Sequence, residues 1–315
     1  MLGYTPLHKG TLEPQPRSIT LNQNIDTLNA RFGLPGALHF VQGRAGLPEA
    51  DIQSPQTSAR VALHGAQVLA WQPAGAQPVI WVSKAAVFEP GLPVRGGVPV
   101  CWPWFGAREG LPMHGFVRTR LWQVRDASLD AAGQVVLRLG LQDDADTRAL
   151  WDFAFDLELV LTIGANLTLA LISRNTGAQP FTLTDALHTY FCVGDIHQTK
   201  VEGLDGCDYL DKVQNFARTR QSGAVDFGGE TDRIYVDTTS DCVIDDQGQQ
   251  RRIQVSKTGS SSTVVWNPWR EKTFADMAAG EYQQMLCVET CNAGPDQITL
   301  APGRSHALSA TVSVR

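Results

Sequence analysis

Phe153-Ala154-Phe155-Asp156-Leu157-Glu158-Leu159-Val160-Leu161-Thr162-Ile163, then Gly164-Ala165-Asn166, then Leu167-Thr168-Leu169-Ala170-Leu171 is the stretch that decides the fold class. Phe153, Phe155, Leu157, Leu159, Leu161 and Ile163 fall on every second residue, with Asp156, Glu158 and Thr162 between them. A period of two belongs to a strand, whose successive side chains point to opposite faces of a sheet. Gly-Ala-Asn interrupts the pattern and predicts a hairpin into the second run. Outward from there, the apolar runs stay short. Val61–Leu63, Val68–Trp71 and Val79–Val82 precede it, after strand-like punctuation begins near Ala59. Leu183–Cys192, Ile253–Ser256, Ser262–Trp266, Gln283–Thr290 and Ala307–Val314 follow it. Helical periodicity is confined to short pieces such as Asp143–Trp151 and Glu271–Met277, while Leu21–Phe32 could form a short helix or an irregular lead-in that Gly33-Leu34-Pro35-Gly36 breaks. Without strands alternating with long amphipathic helices, a doubly wound fold is disfavoured. The expectation is all-β: a large antiparallel sandwich. No linker or internal repeat is visible, so residues 1–315 read as a single domain, with 1–55 as a variable lead-in.

Composition narrows the function. The formal net charge of −6 argues against a nucleic-acid partner, since phosphate backbones are met by clustered Lys and Arg. No run reaches the length of an apolar membrane span, and the polar start Met1–Thr20 lacks a secretory core. A protein with no membrane partner, located in the cytoplasm, is expected. The six cysteines form no C-x-x-C pair. Cys287 and Cys291, on one face of a strand, would stand roughly 13 Å apart, too far for a disulfide and awkward for one shared metal. Buried free thiols are expected, with no metal site.

Motifs for nucleotide binding, zinc hydrolysis and the serine-hydrolase elbow are missing from the sequence: there is no G-x-G-x-x-G after a strand, no Walker A loop, no H-E-x-x-H and no G-x-S-x-G. What remains is a scatter of proton-transfer and cationic groups. In Thr184-Asp185-Ala186-Leu187-His188-Thr189-Tyr190-Phe191 and Met285-Leu286-Cys287-Val288-Glu289-Thr290, an apolar strand carries a titratable residue it would not otherwise want. His188 and Glu289 are the minimum equipment for acid–base chemistry, although Glu289 could equally be held by an arginine. Period two places Glu289 on the face of Met285, Cys287 and Cys291. The stretch Pro93-Val94-Arg95-Gly96-Gly97-Val98-Pro99-Val100-Cys101-Trp102-Pro103-Trp104-Phe105-Gly106 is too rich in proline for a central strand. Its Gly-Gly pair would let backbone approach a ligand, and Arg95 would receive phosphate or carboxylate; a rigid surface loop over buried tryptophans is the competing account. His114 and Arg118, in Met113-His114-Gly115-Phe116-Val117-Arg118, would suit a polar pocket, while His64 is a weaker candidate. After His188 and Glu289, Asp232 is a third candidate, with a structural role as an acidic turn residue beside Arg233 as the competing account, and Asp185 is expected to cap or pair locally.

Together these segments resemble the hexose-6-phosphate mutarotases, or glucose-6-phosphate 1-epimerases, a branch of the aldose 1-epimerase superfamily. The blocks Arg95–Gly106, His114–Arg118, Leu187–Phe191, Asp232–Tyr235 and Val288-Glu289 stand in that family's order and span about Ala59 to Val314. The resemblance implies a galactose-mutarotase-like β-supersandwich with the sugar in a concave cleft. It implies Glu289 as base to the anomeric hydroxyl and His188 as acid to the ring oxygen. It also implies His114 and Asp232 as sugar-binding groups, Arg95 and Arg118 as the cations of the phosphorylated branch, a sugar phosphate as partner, and no cofactor. Trp102, Trp104, Phe116, Trp266 and Trp269 could face a pyranose ring or belong to the core. A two-carboxylate glycoside hydrolase, an epimerase of unphosphorylated aldoses and a non-catalytic sugar-binding module are the rival readings. A monomer is expected.

Overall fold

The computed structural model describes residues 24–315. The Phe155–Ile163 and Leu167–Asn175 strands form the expected hairpin, joined through Gly164–Asn166, with Ile163 opposite Leu167. Along the first, buried and half-buried positions alternate without a break. Phe153 stands just outside the strand and packs on Trp151 and Phe181. The hairpin lies in an eight-stranded antiparallel sheet ordered Thr199–Glu202, Cys242–Asp246, Arg251–Thr258, Ser305–Val314, Leu167–Asn175, Phe155–Ile163, Val135–Gln142, Gln123–Leu129. Its polar face carries ion pairs such as Arg138–Glu158 at 3.0 Å.

A second eight-stranded sheet carries the site. Its order is Ala217–Arg220, Asp208–Asp211, Thr231–Tyr235, Ser262–Asn267, Met285–Asn292, Asp185–Leu187, Val100–Cys101, with Tyr190–Cys192 also paired to Met285–Asn292. A four-stranded sheet from Leu38 to Pro73 and a two-stranded one complete the β structure. Residues of the stretch read as lead-in thus supply the Ile25–Phe32 helix and the Leu38–Gln42 and Pro48–Ser54 strands. The part of the lead-in helix expectation before Asn24 lies outside the described residues. Asp143–Trp151 yields the short helix Ala145–Leu150, capped by Asp144 and Thr147 in a reciprocal box.

Two expectations about elements are corrected. The segment 271–277 is not helical; it makes isolated turn bonds, Lys272 N–H to Pro268 and Met277 N–H to Phe274. Tertiary contacts decide this, since Phe274 packs on Trp266 and beneath Arg95. Leu183–Cys192 is not one strand but three pieces, for a reason that belongs to the site.

The core has two parts. The larger fills the space between sheets, with Trp102 at its centre against Phe116, Trp151, Phe155 and Phe181 and its indole N–H donating to Ser173. The smaller holds Trp81, Cys101, Ala186, Tyr190, Trp266 and Cys287 among others. The Met285–Asn292 strand is buried on both faces: Leu286 and Val288 belong to the large core, Met285, Cys287 and Cys291 to the small one. All six cysteines are free, four of them buried. No helix among the described residues is long and apolar enough to cross a membrane.

Candidate active site

Met285–Asn292 pairs with Asp185–Leu187 and again with Tyr190–Cys192, Asp185 lying opposite Asn292 and Tyr190 opposite Cys287. Both pieces keep one register. Carried across the gap, it sets His188 directly opposite Glu289. The ladder is open at that point because His188 N–H bonds Pro99 and Thr189 N–H bonds Leu187. His188 Nδ1 and Glu289 Oε1 come to 3.5 Å, too long for a good hydrogen bond, and Nδ1 and Oε2 have no hydrogen-bond partner. The imidazole stacks on Tyr190 at 4.8 Å.

These two groups lie at the floor of a cleft of about 680 Å³. Arg95, His114, Arg118 and Asp232 line the same cleft, so all six residues singled out in the sequence are brought together. His114 stands in the left-handed region (φ 62°), followed by Gly115, where a Cβ would strike the Trp102 carbonyl. Its Nδ1 accepts from the Gly106 N–H at 3.1 Å, which leaves Nε2 as the protonated nitrogen, a donor. Burial, helped by Arg118, Lys212 and Arg95, takes its pKa down to about 3, so the ring stays neutral. Asp232 is held by Lys212 at 2.8 Å, and burial raises its pKa against that pull.

Electrostatics divides the floor into two sides. Burial pushes the Glu289 carboxyl well above the usual range, with Asp232 adding to the rise and Lys212 opposing it. Burial pushes His188 well below the usual histidine value, with His114, Arg118 and Arg95 pushing the same way. Both shifts favour the uncharged forms, a protonated carboxyl and a neutral imidazole. Ammonium and guanidinium groups also line the cleft: Arg95 pairs with Asp276 at 3.1 Å and Lys272 with Glu230, whereas Arg118 has no carboxylate partner among the described residues.

Several expectations change. Gly96 and Gly97 do not admit a ligand. They have positive φ because Gly96 lies against Trp81 and Val82 and Gly97 against Val68, where a Cβ would come within 2.6 Å of backbone. Glu289 is not held by any arginine among the described residues; its ion-pair partner is His188. Asp185 has no ion-pair partner among the described residues: it is fully buried, neither oxygen meets a well-formed hydrogen bond, and burial pushes its pKa up to about 8 against the weaker pull of the Asn292 amide and its own. It does not line the cleft, so it cannot be the second carboxylate of a hydrolase there. Trp102, Trp104, Phe116 and Trp269 belong to the core, and only Trp266 of the five aromatics reaches the cleft. Phe105, Tyr190, Phe216 and Phe274 supply the other aromatic walls. Lys212, Lys272 and Asp276 escaped the sequence reading, since each sits in a loop with no distinctive neighbours.

The comparisons fit this geometry. The aldose 1-epimerase family model matches residues 49–313. The chain belongs to the aldose 1-epimerase family. An Escherichia coli K12 protein named "putative glucose-6-phosphate 1-epimerase" is 38% identical over 82% of this chain and 88% of its own. A Cenchrus ciliaris protein of the same name is 36% identical over 78% of each. The crystal structure of a "putative mutarotase" from Salmonella typhimurium superposes with a TM-score of 0.84 at 33% identity, covering 92% of this chain and 98% of that one. In this epimerase family member the expected all-β mutarotase-like fold is therefore present, including its concave cleft.

Proposed function

We propose that this epimerase interconverts the α and β anomers of a hexose 6-phosphate, with His188 and Glu289 as the proton-transfer pair. The observation that carries the reading is their placement: opposed across a broken ladder, 3.5 Å apart, at the floor of an aromatic and cationic cleft. Glu289 as carboxylate takes the proton of the anomeric hydroxyl while His188 as imidazolium protonates the ring oxygen. The C1–O5 bond breaks and the aldehyde forms. Rotation about C1–C2 presents the other face of the carbonyl, and closure returns both protons. Ring opening converts a charge-separated pair into a neutral one, which burial favours. Each proton transfer contributes ~10²–10⁴-fold. His114, as an Nε2–H donor, and Asp232 bind sugar oxygens.

The electrostatic division supports a phosphate. C5 of the sugar carries both the ring oxygen and C6, so a 6-phosphate hangs a few bonds from the atom His188 serves. Arg95 and Arg118 are the cations whose charge acts on His188. A bound dianion would neutralise them and lift their part of the opposition to the imidazolium that ring opening needs. The test couples β-anomer formation to a β-specific dehydrogenase. Glucose 6-phosphate is expected to mutarotate faster than in buffer and faster than glucose; a rate equal to buffer would overturn the reading.

A further inference from the structure

Cys287 has no part in the proton transfers, yet it shares the buried face with Glu289 and lies opposite Tyr190, two pairs along from His188. His188 Nδ1 or Nε2, Cys287 Sγ and a Glu289 carboxylate oxygen all lie within 4.8 Å of one another. We infer that this trio forms a binding site for one soft divalent cation, zinc above all, whose occupancy removes both proton-transfer groups and stops the enzyme.

The geometry suits a metal better than it suits the pair alone. Zinc bonds of 2.0–2.3 Å in a tetrahedron put neighbouring nitrogen and oxygen ligands about 3.4 Å apart. The His188–Glu289 gap is 3.5 Å, and both Nδ1 and Oε2 lack a hydrogen-bond partner although buried. The ligand set is thiolate, imidazole and carboxylate, which is zinc's preference, and two of the three ligands, His188 and Glu289, line the cleft through which the ion would enter. Arg95 and Arg118 face the same space and oppose a cation. Burial favours the protonated forms of both the Cys287 thiol and the Glu289 carboxyl, so binding displaces two protons to solvent through the cleft. The two negative charges left on the ligands cancel the metal's two, which is what a buried ion requires. Magnesium and calcium, which demand several oxygen ligands, would not be held.

Only the inhibitory half of this inference rests on the epimerase reading; the site itself does not. The probe is cobalt(II) chloride added to chelator-stripped full-length protein. One equivalent per chain is expected, with the visible absorption of four-coordinate cobalt and a thiolate-to-metal band in the near ultraviolet, both abolished by zinc. Cys287→Ser should remove the thiolate band. Glu289→Gln, which preserves shape, should weaken zinc binding at least about tenfold, with circular dichroism confirming the fold. Mutarotation should fall along the zinc occupancy curve and return with EDTA. A thiolate band that survives Cys287→Ser, or zinc affinity unchanged in both variants, overturns the site. If the band behaves as expected but stripped protein never mutarotates glucose 6-phosphate, the site stands and the enzymatic reading falls. If mutarotation is rapid and zinc neither binds nor slows it, the metal inference alone falls.

Discussion

The Phe155–Asn175 hairpin and the pairing of 185–192 with Met285–Asn292 are both antiparallel, and both face the core. The hairpin runs nine unbroken pairs, buries one face and gives the other to water and ion pairs. The second pairing buries both faces and opens its ladder at His188–Thr189. One is built for stability, the other spends ladder hydrogen bonds to place a histidine against a glutamate. Chemistry here sits where a regular element is interrupted.

That contrast can be broken. Glu289→Gln should cut mutarotation about 10²–10⁴-fold while the melting temperature holds or rises, because burial already prefers an uncharged side chain there. Leu159→Ala, in the hairpin's buried row, should do the opposite: lose about 2–5 kcal/mol in denaturant unfolding, with the rate per folded molecule unchanged. If Glu289→Gln unfolded the protein while keeping its rate, the division of labour would be wrong.

Two smaller effects would sharpen it. Inorganic phosphate should raise the rate on glucose by about tenfold, the order of one charge-assisted hydrogen bond, and should inhibit turnover of glucose 6-phosphate. No stimulation would remove the coupling between phosphate and His188. Asp185→Asn reads a buried acid outside the site. A carboxyl whose folded pKa is raised gives stability that is complete below its unfolded value and is lost as pH rises to about 8. The wild type should therefore weaken by up to about 1.4 kcal/mol per pH unit across that window relative to Asp185→Asn. Parallel unfolding curves from pH 4 to pH 9 would show that Asp185 ionises freely.

How much of this was legible depends on whether a property is local. The alternation over Phe155–Ile163 is a record of one sheet face, so the hairpin and the all-β class could be read directly. Arg95, His114, Arg118, His188, Asp232 and Glu289 could be named because each breaks its local pattern or belongs to a block resembling the family. Their convergence could not be seen, because it depends on a register between strands a hundred residues apart. Gly96-Gly97 shows the limit from the other side: glycines do mark close backbone approach, but the sequence does not say to what. Lys212 and Lys272 gave no signal, since surface-type lysines matter only once folding turns them toward a cleft.

The two-sided burial of Met285–Asn292 has one more consequence. Apart from the opening opposite His188 and Thr189, its backbone is paired with strands on either side, and apolar clusters cover it above and below. Such amides exchange with solvent only when the whole molecule opens. The glutamate at the cleft floor therefore has no partly unfolded state in which to be lost separately. On heating, activity and hydrogen-exchange protection of this strand should disappear at one temperature.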